Sequence, residues 1–342
     1  MTKRISIRDV AAAAGVSRTT ASDALSGRGR VNEQTRRLVA ETARRLGYRA
    51  NPHARMLRRG RSGILAMASS MLQDQTSDLS GAEYFAEVVS SSATTALSHD
   101  YAMVLLPLNP GVEQLESFAV DGAIILDPVL GDPMMAPLEA QGVPVVSMGR
   151  PPDRPPDAAT WVDNEIGSAA RRVLDLFAER GASRVALLTN EPTRSYTIDT
   201  IDAYEAWCAD TGREPIIAST GPLASESTGY EVARELLDRD DPPDAIYAPL
   251  DRLALGALLA AGARGLQVPD DLMIAAGSDS PGTRASDPPI TALQLDPRRV
   301  GQIAAELLVE RVEGVGDHPR HVVLPTAFAE RASTARAPLG SR

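Results

Sequence analysis

The sequence is poor in cysteine, lysine and aromatic residues, and each shortage excludes a class of chemistry. Cys208 is the only cysteine of the 342 residues, so the chain can form neither an intramolecular disulfide nor a zinc site built from cysteines, which suits a reducing cytosol. Lys3 is the only lysine, which excludes a P-loop lysine and a buried Schiff-base lysine. The four histidines are scattered. We therefore expect no metal and no cofactor.

Long apolar runs and catalytic motifs are also absent from the sequence. No apolar run approaches the length of about 18 residues that a membrane span needs, and the basic first residues lack the apolar region of a secretory signal. The motifs G-x-S-x-G, H-E-x-x-H, G-x-G-x-x-G and the P-loop do not occur. We expect a cytoplasmic protein that is not an enzyme and does not contact a membrane.

The charges that are present are unevenly distributed. The whole chain carries −10, which by itself argues against a nucleic-acid partner. Residues 1–61 nevertheless contain fifteen basic and four acidic residues, a net charge of +11, which leaves −21 for the remainder. A basic segment joined to an acidic body is typical of a nucleic-acid-binding module fused to another domain, although a basic disordered tail would show the same charge.

Within the basic segment, two short helical patterns predict a helix-turn-helix. Ser6 is a suitable N-cap for the first helix, Gly15 supplies the turn that ends it, and Ser17 can cap the second. The residues expected to face inward are Ile7, Val10, Ala11 and Ala14, then Ala21, Ala24 and Leu25. In this arrangement the N-terminal part of the second helix enters the major groove of DNA.

A third helix and a short basic segment follow. Asn32 opens the third helix and Gly47 ends it, and its arginines either contact phosphate groups or form a solvated face. Its inward stripe is predicted to be Leu38, Val39, Thr42 and Leu46. Residues 51–59 predict a helix of about two turns, which needs a partner to be stable in water. Leu57 is then either a wedge for the minor groove or a linker residue packed on a neighbour.

Several motifs together resemble the lactose-repressor (LacI/GalR) family of bacterial transcription regulators. They stand in the family's order and spacing and cover about residues 4–334. They are residues 6–22, 31–36, 46–48, 51–52, 162–164, 251–256, 265–270, 288–291 and 331–334. The resemblance implies partners of three kinds: a pseudo-palindromic double-stranded operator DNA, a small-molecule effector and a second copy of the chain.

On the DNA side, the resemblance implies that Arg18, Thr19 and Ser22 face the operator. Arg18 is the first candidate for bidentate contact with guanine, which discriminates by about 1–3 kcal/mol. Asp23 departs from the family, which often has arginine there, and an aspartate repels phosphates but can accept from cytosine N4. The candidate DNA contacts are Ser6, Ser17, Arg18, Thr19, Thr20, Ser22, Asp23, Asn32, Tyr48, Asn51, His53, Ala54, Leu57 and Arg58. Leu57 aligns with the family's hinge leucine, and Ala54 would let two hinge helices approach closely.

From residue 62 onward, short apolar runs alternate with amphipathic stretches, which predicts buried parallel strands with helices between them. The predicted strands are residues 64–67, 102–106, 122–126, 143–146, 185–188, 245–247 and 273–276. In such a doubly wound α/β arrangement, ligands bind at the carboxyl ends of the strands. The resemblance implies a periplasmic-binding-protein-like type I fold, whose two lobes are discontinuous in sequence because strands cross over between them.

Candidate effector contacts combine strand ends with positions that the resemblance implies. Tyr84 and Phe85 match an aromatic pair that walls the family's pocket, although Phe85 could instead face the core. Asp279 matches a carboxylate that often accepts hydrogen bonds from sugar hydroxyls, and Asp251 could equally cap its helix. The full set is Ser69, Tyr84, Phe85, Arg150, Arg194, Thr200, Asp251 and Asp279.

Some pocket positions differ from the family pattern. Thr200 replaces an arginine, Leu250 replaces an asparagine, and Ser278 and Ser280 flank Asp279 where the family has an aromatic followed by two acidic groups. We infer either a ligand other than a common family sugar or a weak dependence on ligand. Arg194 could compensate locally.

Together these observations predict an N-terminal all-α helix-turn-helix headpiece and a two-lobed α/β effector domain. The predicted domains are residues 1–50 for DNA binding, 51–61 for the hinge helix and linker, 62–334 for effector binding and dimerisation, and 335–342 as a tail. The predicted function is a sequence-specific DNA-binding repressor whose operator affinity is modulated by a small-molecule effector, a sugar or related metabolite, bound between the two lobes. Because residues 335–342 carry no heptads, we expect no tetramer-forming coiled coil and therefore a dimer. The alternative is a small-molecule-binding or catalytic α/β protein whose basic arm only anchors it to nucleic acid.

Overall fold

The computed structural model of the chain describes residues 5–26, 29, 31–48, 60–69, 82–106, 119–315 and 321–336. The chain divides into two compact units, Met1–Gly63 and Ile64–Arg342. Within the described ranges, no helix combines the length and the apolar character needed to cross a membrane.

The described part of the first unit contains three helices, α1 (Ile7–Ala14), α2 (Arg18–Ser26) and α3 (Glu33–Arg45). The predicted start signals are confirmed. The Ser6 N–H donates to the Asp9 carboxylate at 2.8 Å, and the side chains of Ser17 and Asn32 accept from backbone N–H groups at 3.0 and 2.7 Å. These bonds satisfy amide groups that a helix leaves without partners in its first turn.

The three helices enclose a small apolar core. Its buried members are Val10, Ala11, Ala14, Ala21, Ala24, Val39 and Ala43. One predicted core residue was wrong: Leu38 is 50% exposed. Ala43, on the next turn of α3, lies in the core instead, because the buried stripe runs through Val39, Thr42 and Ala43.

The second unit contains twelve strands among the described residues. They are β1 (Ile64–Ser69), β2 (Ala102–Leu106), β3 (Gly122–Leu126), β4 (Val145–Met148), β5 (Trp161–Asn164), β6 (Val185–Thr189), β7 (Ile216–Ser219), β8 (Ala245–Ala248), β9 (Met273–Ala276), β10 (Thr291–Gln294), β11 (His321–Leu324) and β12 (Ala327–Ala329). They form two six-stranded sheets, ordered β11-β5-β4-β3-β1-β2 and β12-β10-β9-β8-β6-β7. All neighbours are parallel except β10 and β12.

Eight helices of this unit lie among the described residues, and they pack on the sheets or on one another. They are α4 (Ala82–Ser98), α5 (Met135–Ala140), α6 (Ile166–Glu179), α7 (Ser195–Thr211), α8 (Glu226–Leu237), α9 (Asp251–Ala263), α10 (Pro281–Ala285) and α11 (Pro297–Glu313). The first sheet with α4, α5 and α11 is called lobe 1, and the second sheet with α6 to α10 is called lobe 2.

The chain passes between the lobes three times. It leaves lobe 1 after β5, returns through α11 to place β11 beside β5, and then adds β12 to the edge of lobe 2. Each lobe is therefore discontinuous in sequence, as predicted. The helices on both faces of each sheet explain why the central strands are continuous apolar runs: β3 and β6 are buried along their whole length.

Candidate functional site

The exposed surface of α2 is the candidate DNA-reading surface. Arg18 and Thr19 are exposed on the first turn, while Thr20 is half-buried, with its hydroxyl 2.9 Å from that of Ser17. The buried side of the helix is formed by Ala21 and Ala24. Arg18 and Thr19 therefore project from the part of the helix that a helix-turn-helix presents to the major groove.

Asp23 is placed differently from Arg18. It is half-buried, and its carboxylate lies against the loop that joins α2 to α3, where a Cβ added to Gly29 would come within 2.8 Å of Asp23 Oδ2. The backbone of Gly29 has φ +71°, a conformation that glycine adopts without steric cost. Gly29 thus leaves room for the aspartate beside the loop.

The remaining DNA candidates fall into two groups. Ser6, Ser17 and Asn32 are exposed helix caps, Ser22 is half-buried on α2, and Tyr48 is half-buried against the core of the first unit. The hinge candidates lie outside the described residues, as does the predicted helix of residues 51–59: they are Asn51, His53, Ala54, Leu57 and Arg58.

The second candidate site is a cavity of about 610 Å³ between the two lobes. It lies at the carboxyl ends of the parallel strands, where doubly wound sheets bind ligands. Its charged lining residues are Glu83, Glu87, Asp127, Asp163, Asp251, Asp279, Arg194, Arg252 and Arg284, and its tyrosines are Tyr84, Tyr196 and Tyr247. Only 4% of the chain is aromatic, so three tyrosines in one cavity represent a local concentration of aromatic surface.

Several buried polar atoms of the cavity wall have no hydrogen-bond partner among the described residues. They are the hydroxyl of Tyr247, the Oδ1 of Asn164 and the Nε of Arg252. Tyr247 is completely buried. A buried polar atom without a partner costs about 1–3 kcal/mol, so these atoms mark positions where a bound molecule would gain hydrogen bonds.

Two carboxylates, Asp127 and Asp163, lie on the lobe 1 side of the cavity. Burial raises the pKa of Asp163, although its carboxylate accepts from the N–H of Arg150 at 2.8 Å and from the Ser195 hydroxyl at 3.1 Å. Burial also raises the pKa of Asp127 to about 6, with the Arg194 guanidinium opposing and the Asp163 charge adding to this shift. Asp127 therefore titrates close to neutral pH.

Two ion pairs join the lobes. Glu83 of α4 pairs with Arg284 of α10 at 2.8 Å, and both residues line the cavity. Arg150, which follows β4, pairs with Asp199 of α7 at a separate depression. Each pair connects one lobe to the other, so a change in the separation of the lobes must alter both pairs.

The predicted effector residues are not all brought to the cavity. Those that line it are Tyr84, Arg194, Thr200, Asp251 and Asp279. Phe85 is not among the lining residues, and Arg150 borders a separate depression. Ser69 ends β1, and its side chain lies outside the described residues.

Asp279 already has protein partners. Its two carboxylate oxygens accept from the Arg331 guanidinium at 2.9 and 2.8 Å, and Oδ1 also accepts from the Thr283 hydroxyl at 2.8 Å. Burial opposes ionisation, but the hydrogen bonds from Arg331 and Thr283 outweigh it and lower the pKa of Asp279. The side chain is thus a charged anchor of the cavity wall.

The positions that depart from the family pattern have structural roles of their own. The Thr200 hydroxyl donates to the Tyr196 carbonyl at 2.7 Å. The Ser278 hydroxyl accepts from the N–H of Asp251 at 3.2 Å, and Ser280 caps α10. Ser278 and Ser280 therefore hold the first residues of α9 and α10.

Many cavity residues were not among the predicted contacts, and the polar ones include Asp127, Asp163, Tyr196, Tyr247 and Arg252. A signal for two of them was available, since Asp127 directly follows the predicted strand 122–126 and Tyr247 ends the predicted strand 245–247. Applying the strand-end rule to every predicted strand would have identified both. Among the described residues, no cluster of three or more His, Cys, Asp or Glu side chains is arranged to hold a metal ion.

Known proteins share both parts of this chain. Residues 6–51 match the model of bacterial regulatory proteins of the lacI family, and residues 174–334 match that of the periplasmic binding protein-like domain. The HTH-type transcriptional regulator CelR of Thermobifida fusca is 29% identical over 339 residues, which is 97% of this chain and 98% of that protein.

Solved structures agree with the sequence matches. A complex of the transcriptional regulator CelR with cellobiose is 28% identical, with a TM-score of 0.72 over 96% of this chain and 100% of that one. The lac repressor dimer bound to operator and the anti-inducer ONPF shares the fold, with 22% identity and a TM-score of 0.76 over 97% and 99% of the two chains. The chain therefore combines a helix-turn-helix domain of the lacI family with a periplasmic-binding-protein-like domain, and its relatives are HTH-type transcriptional regulators of the LacI family.

Proposed function

We propose that the protein is a repressor that binds a pseudo-palindromic operator as a homodimer. Its affinity for the operator changes when a small molecule binds between the lobes. The supporting observation is that one chain joins a helix-turn-helix with exposed Arg18 and Thr19 to a cavity of about 610 Å³. Residues 1–50 would read DNA, 51–61 would connect, 62–334 would sense the effector and dimerise, and 335–342 would form a tail.

The proposed effector is a neutral polyhydroxylated molecule such as a saccharide. The Tyr247 hydroxyl can donate or accept, Asn164 Oδ1 can only accept and Arg252 Nε can only donate. A sugar hydroxyl meets all three requirements because it both donates and accepts. Tyrosine faces supply the apolar surface on which sugar rings stack. The complex of the relative CelR with cellobiose supports this class of ligand.

We further propose that the cavity is a binding site and not a catalytic one, and that the protein acts in the cytoplasm, on the bacterial nucleoid. The first statement is supported by the relatives, which are transcriptional regulators. The second follows from the location of operator DNA.

The test uses the full chain, a genomic fragment library to select the operator, and a panel of mono- and disaccharides. We expect a footprint with two half-sites about one helical turn apart. We also expect at least one saccharide to raise the melting temperature and to change operator affinity. A footprint without two-fold symmetry would contradict the repressor proposal. A saccharide that binds without any effect on DNA affinity would favour a small-molecule-binding protein whose basic arm is only an anchor.

A further inference from the structure

Asp127 adopts an unusual backbone conformation at the wall of the cavity. Among the described residues, only Asp100 and Asp127 combine a side chain with positive φ, at +67° and +50°. L-residues other than asparagine and aspartate rarely adopt this region. The N–H of Asp127 donates to the carbonyl of Met148 at 2.8 Å. This bond to β4 fixes the turn that follows β3 and places the carboxylate in the cavity wall.

The neighbours of Asp127 come from several elements. Asp163 of β5 and Arg194, which precedes α7, act on its charge in opposite directions. Burial raises the pKa of Tyr84 on α4 and of Tyr196 on α7, and the Asp127 charge adds to both shifts. The titratable and charged groups that face Asp127 are therefore one carboxylate, one guanidinium and two phenols that stay protonated at neutral pH.

The carboxylates of Asp127 and Asp163 differ in how they interact with the protein. Asp163 is committed to the protein, because it accepts from the N–H groups of Arg150 and Asn164 and from the Ser195 hydroxyl. The influences on Asp127 are burial and the surrounding charges. An ionised carboxylate only accepts hydrogen bonds, whereas its protonated form also donates.

We propose that Asp127 is the hydrogen-bond acceptor that determines ligand specificity in the cavity. It favours a ligand with a hydroxyl group at this point over a ligand with a carboxylate or phosphate there. This inference rests on the proposed function, since it assigns a role within the same ligand site. A charge-assisted hydrogen bond from the ligand hydroxyl to Asp127 favours the neutral molecule. An anionic group at that point would meet the charges of both Asp127 and Asp163.

The proposal predicts a characteristic pH profile. Above about pH 6 the carboxylate of Asp127 is ionised and accepts, and as the pH falls through this value it is protonated and loses its charge-assisted bond. Affinity for a neutral saccharide should therefore decrease as the solution is acidified. A merely structural role for Asp127 would not link the affinity to this titration.

The experiment compares wild type with Asp127→Asn and with the control Asp100→Asn. The control makes the same chemical change at an exposed residue with the same backbone preference, and asparagine tolerates positive φ at both sites. The probes are two matched pairs, cellobiose with cellobiouronate and glucose with glucuronate, in which a carboxylate replaces one hydroxymethyl group. Calorimetry measures their affinities between about pH 5 and pH 8, a range that spans the titration.

We expect the neutral sugar to bind Asp127→Asn about tenfold more weakly than wild type near neutral pH. The affinity of this variant should no longer decrease with acidification. Its preference for the neutral sugar over the matching acidic sugar should also be smaller. Asp100→Asn should behave as wild type. Unchanged affinity and pH profile in Asp127→Asn would overturn the role of Asp127 while leaving the proposed function intact. If no neutral saccharide bound wild type at any pH, the effector class itself would be wrong and this inference would fall with it, whereas operator binding would be unaffected.

Discussion

At the scale of single residues, the position of a side chain decides what its chemistry can do. Arg18 and Asp23 belong to the same helix, yet Arg18 is exposed and Asp23 is half-buried beside Gly29. Asp127 and Asp279 both line the cavity, yet guanidinium and hydroxyl donors lower the pKa of Asp279 while burial raises that of Asp127. Each of these differences leads to a measurable consequence.

Replacement of Arg18 by alanine should weaken specific operator binding by about 1–3 kcal/mol and relax the preference at one base pair, because a bidentate contact to a guanine would be lost. Fluorescence anisotropy with single-base operator variants measures both effects. Arg37→Ala is the matched control, because Arg37 is 79% exposed on α3 and its replacement removes the same charge. Equal losses in the two variants across all operator sequences would show that Arg18 acts only through its charge.

Asp127→Asn should alter the pH dependence of stability even without ligand. Since burial raises the pKa of Asp127 from 3.8 to about 6, wild type gains stability from its protonated form at low pH and loses that gain as the pH rises through 6. A shift of two pK units corresponds to about 3 kcal/mol. The melting temperature of the variant relative to wild type should therefore rise from about pH 4 to pH 7.5, whereas Asp100→Asn should show no such trend. A constant difference would place the Asp127 carboxylate in solvent.

At the scale of elements, some packing is set by backbone contact and some by long-range strand pairing. Helices α8 and α9 approach so closely that a Cβ on Gly256 would lie 2.3 Å from the Glu226 carbonyl oxygen. The strands that were not predicted, such as β11 and β12, are short and partly exposed. Their conformation depends on the strands beside them, which the local sequence pattern does not reveal.

Gly256→Ala should destabilise lobe 2 by about 3 kcal/mol or more, because the added methyl group meets backbone atoms that cannot move independently. The control lies on the same helix: a Cβ on Gly262 has nothing within 4 Å, so Gly262→Ala should stabilise by about 0.5–1 kcal/mol. Denaturant unfolding measures both. Similar effects of the two substitutions would mean that α8 and α9 are farther apart than described.

The interlobe ion pair between Glu83 and Arg284 should contribute to ligand affinity. Both side chains are about half exposed, at 50% and 43%, so the pair is worth about 0.2–1 kcal/mol. Glu83→Gln should weaken ligand binding by up to about fivefold, more at low salt than at high salt. Glu139→Gln is the control, because Glu139 pairs with Arg154 inside lobe 1. If both variants bound ligand as wild type does, the pair would have no part in bringing the lobes together.

At the scale of the whole molecule, the charge distribution separates the two functions. The segment 1–61 carries +11, while the rest of the chain carries −21. The basic segment favours phosphate contacts, and the acidic remainder disfavours non-specific attachment to DNA. This charge distribution supports the proposal that the first unit is the one that binds DNA.

Effector and operator should affect each other by the same factor, because two ligands of one protein are thermodynamically linked. If the saccharide lowers operator affinity, operator DNA must lower saccharide affinity equally, by about 5- to 150-fold for typical couplings. Calorimetry with and without a saturating operator duplex, compared with DNA titrations with and without saccharide, measures the two factors. Unequal factors would indicate a binding state outside this scheme, such as dissociation of the dimer.

The sequence by itself determined the helix-turn-helix, since the caps Ser6, Ser17 and Asn32 and the apolar spacing act within a few residues of one another. It also determined the central strands, because a strand buried on both faces must be a continuous apolar run. Family resemblance added the crossing of the chain between two lobes. The finer details, such as the exposure of Leu38, depended on how helices pack.

Only the tertiary structure decided the cavity. Asp127, Tyr247 and Arg252 follow different strands or lie on different elements, and they meet because parallel strands end at a common edge and two such edges face each other. The pKa of Asp127 likewise depends on burial and on Asp163 and Arg194, which are distant in sequence. Local signals fix local structure, whereas charge, burial and hydrogen bonding in a site arise from long-range contacts that a single sequence does not display.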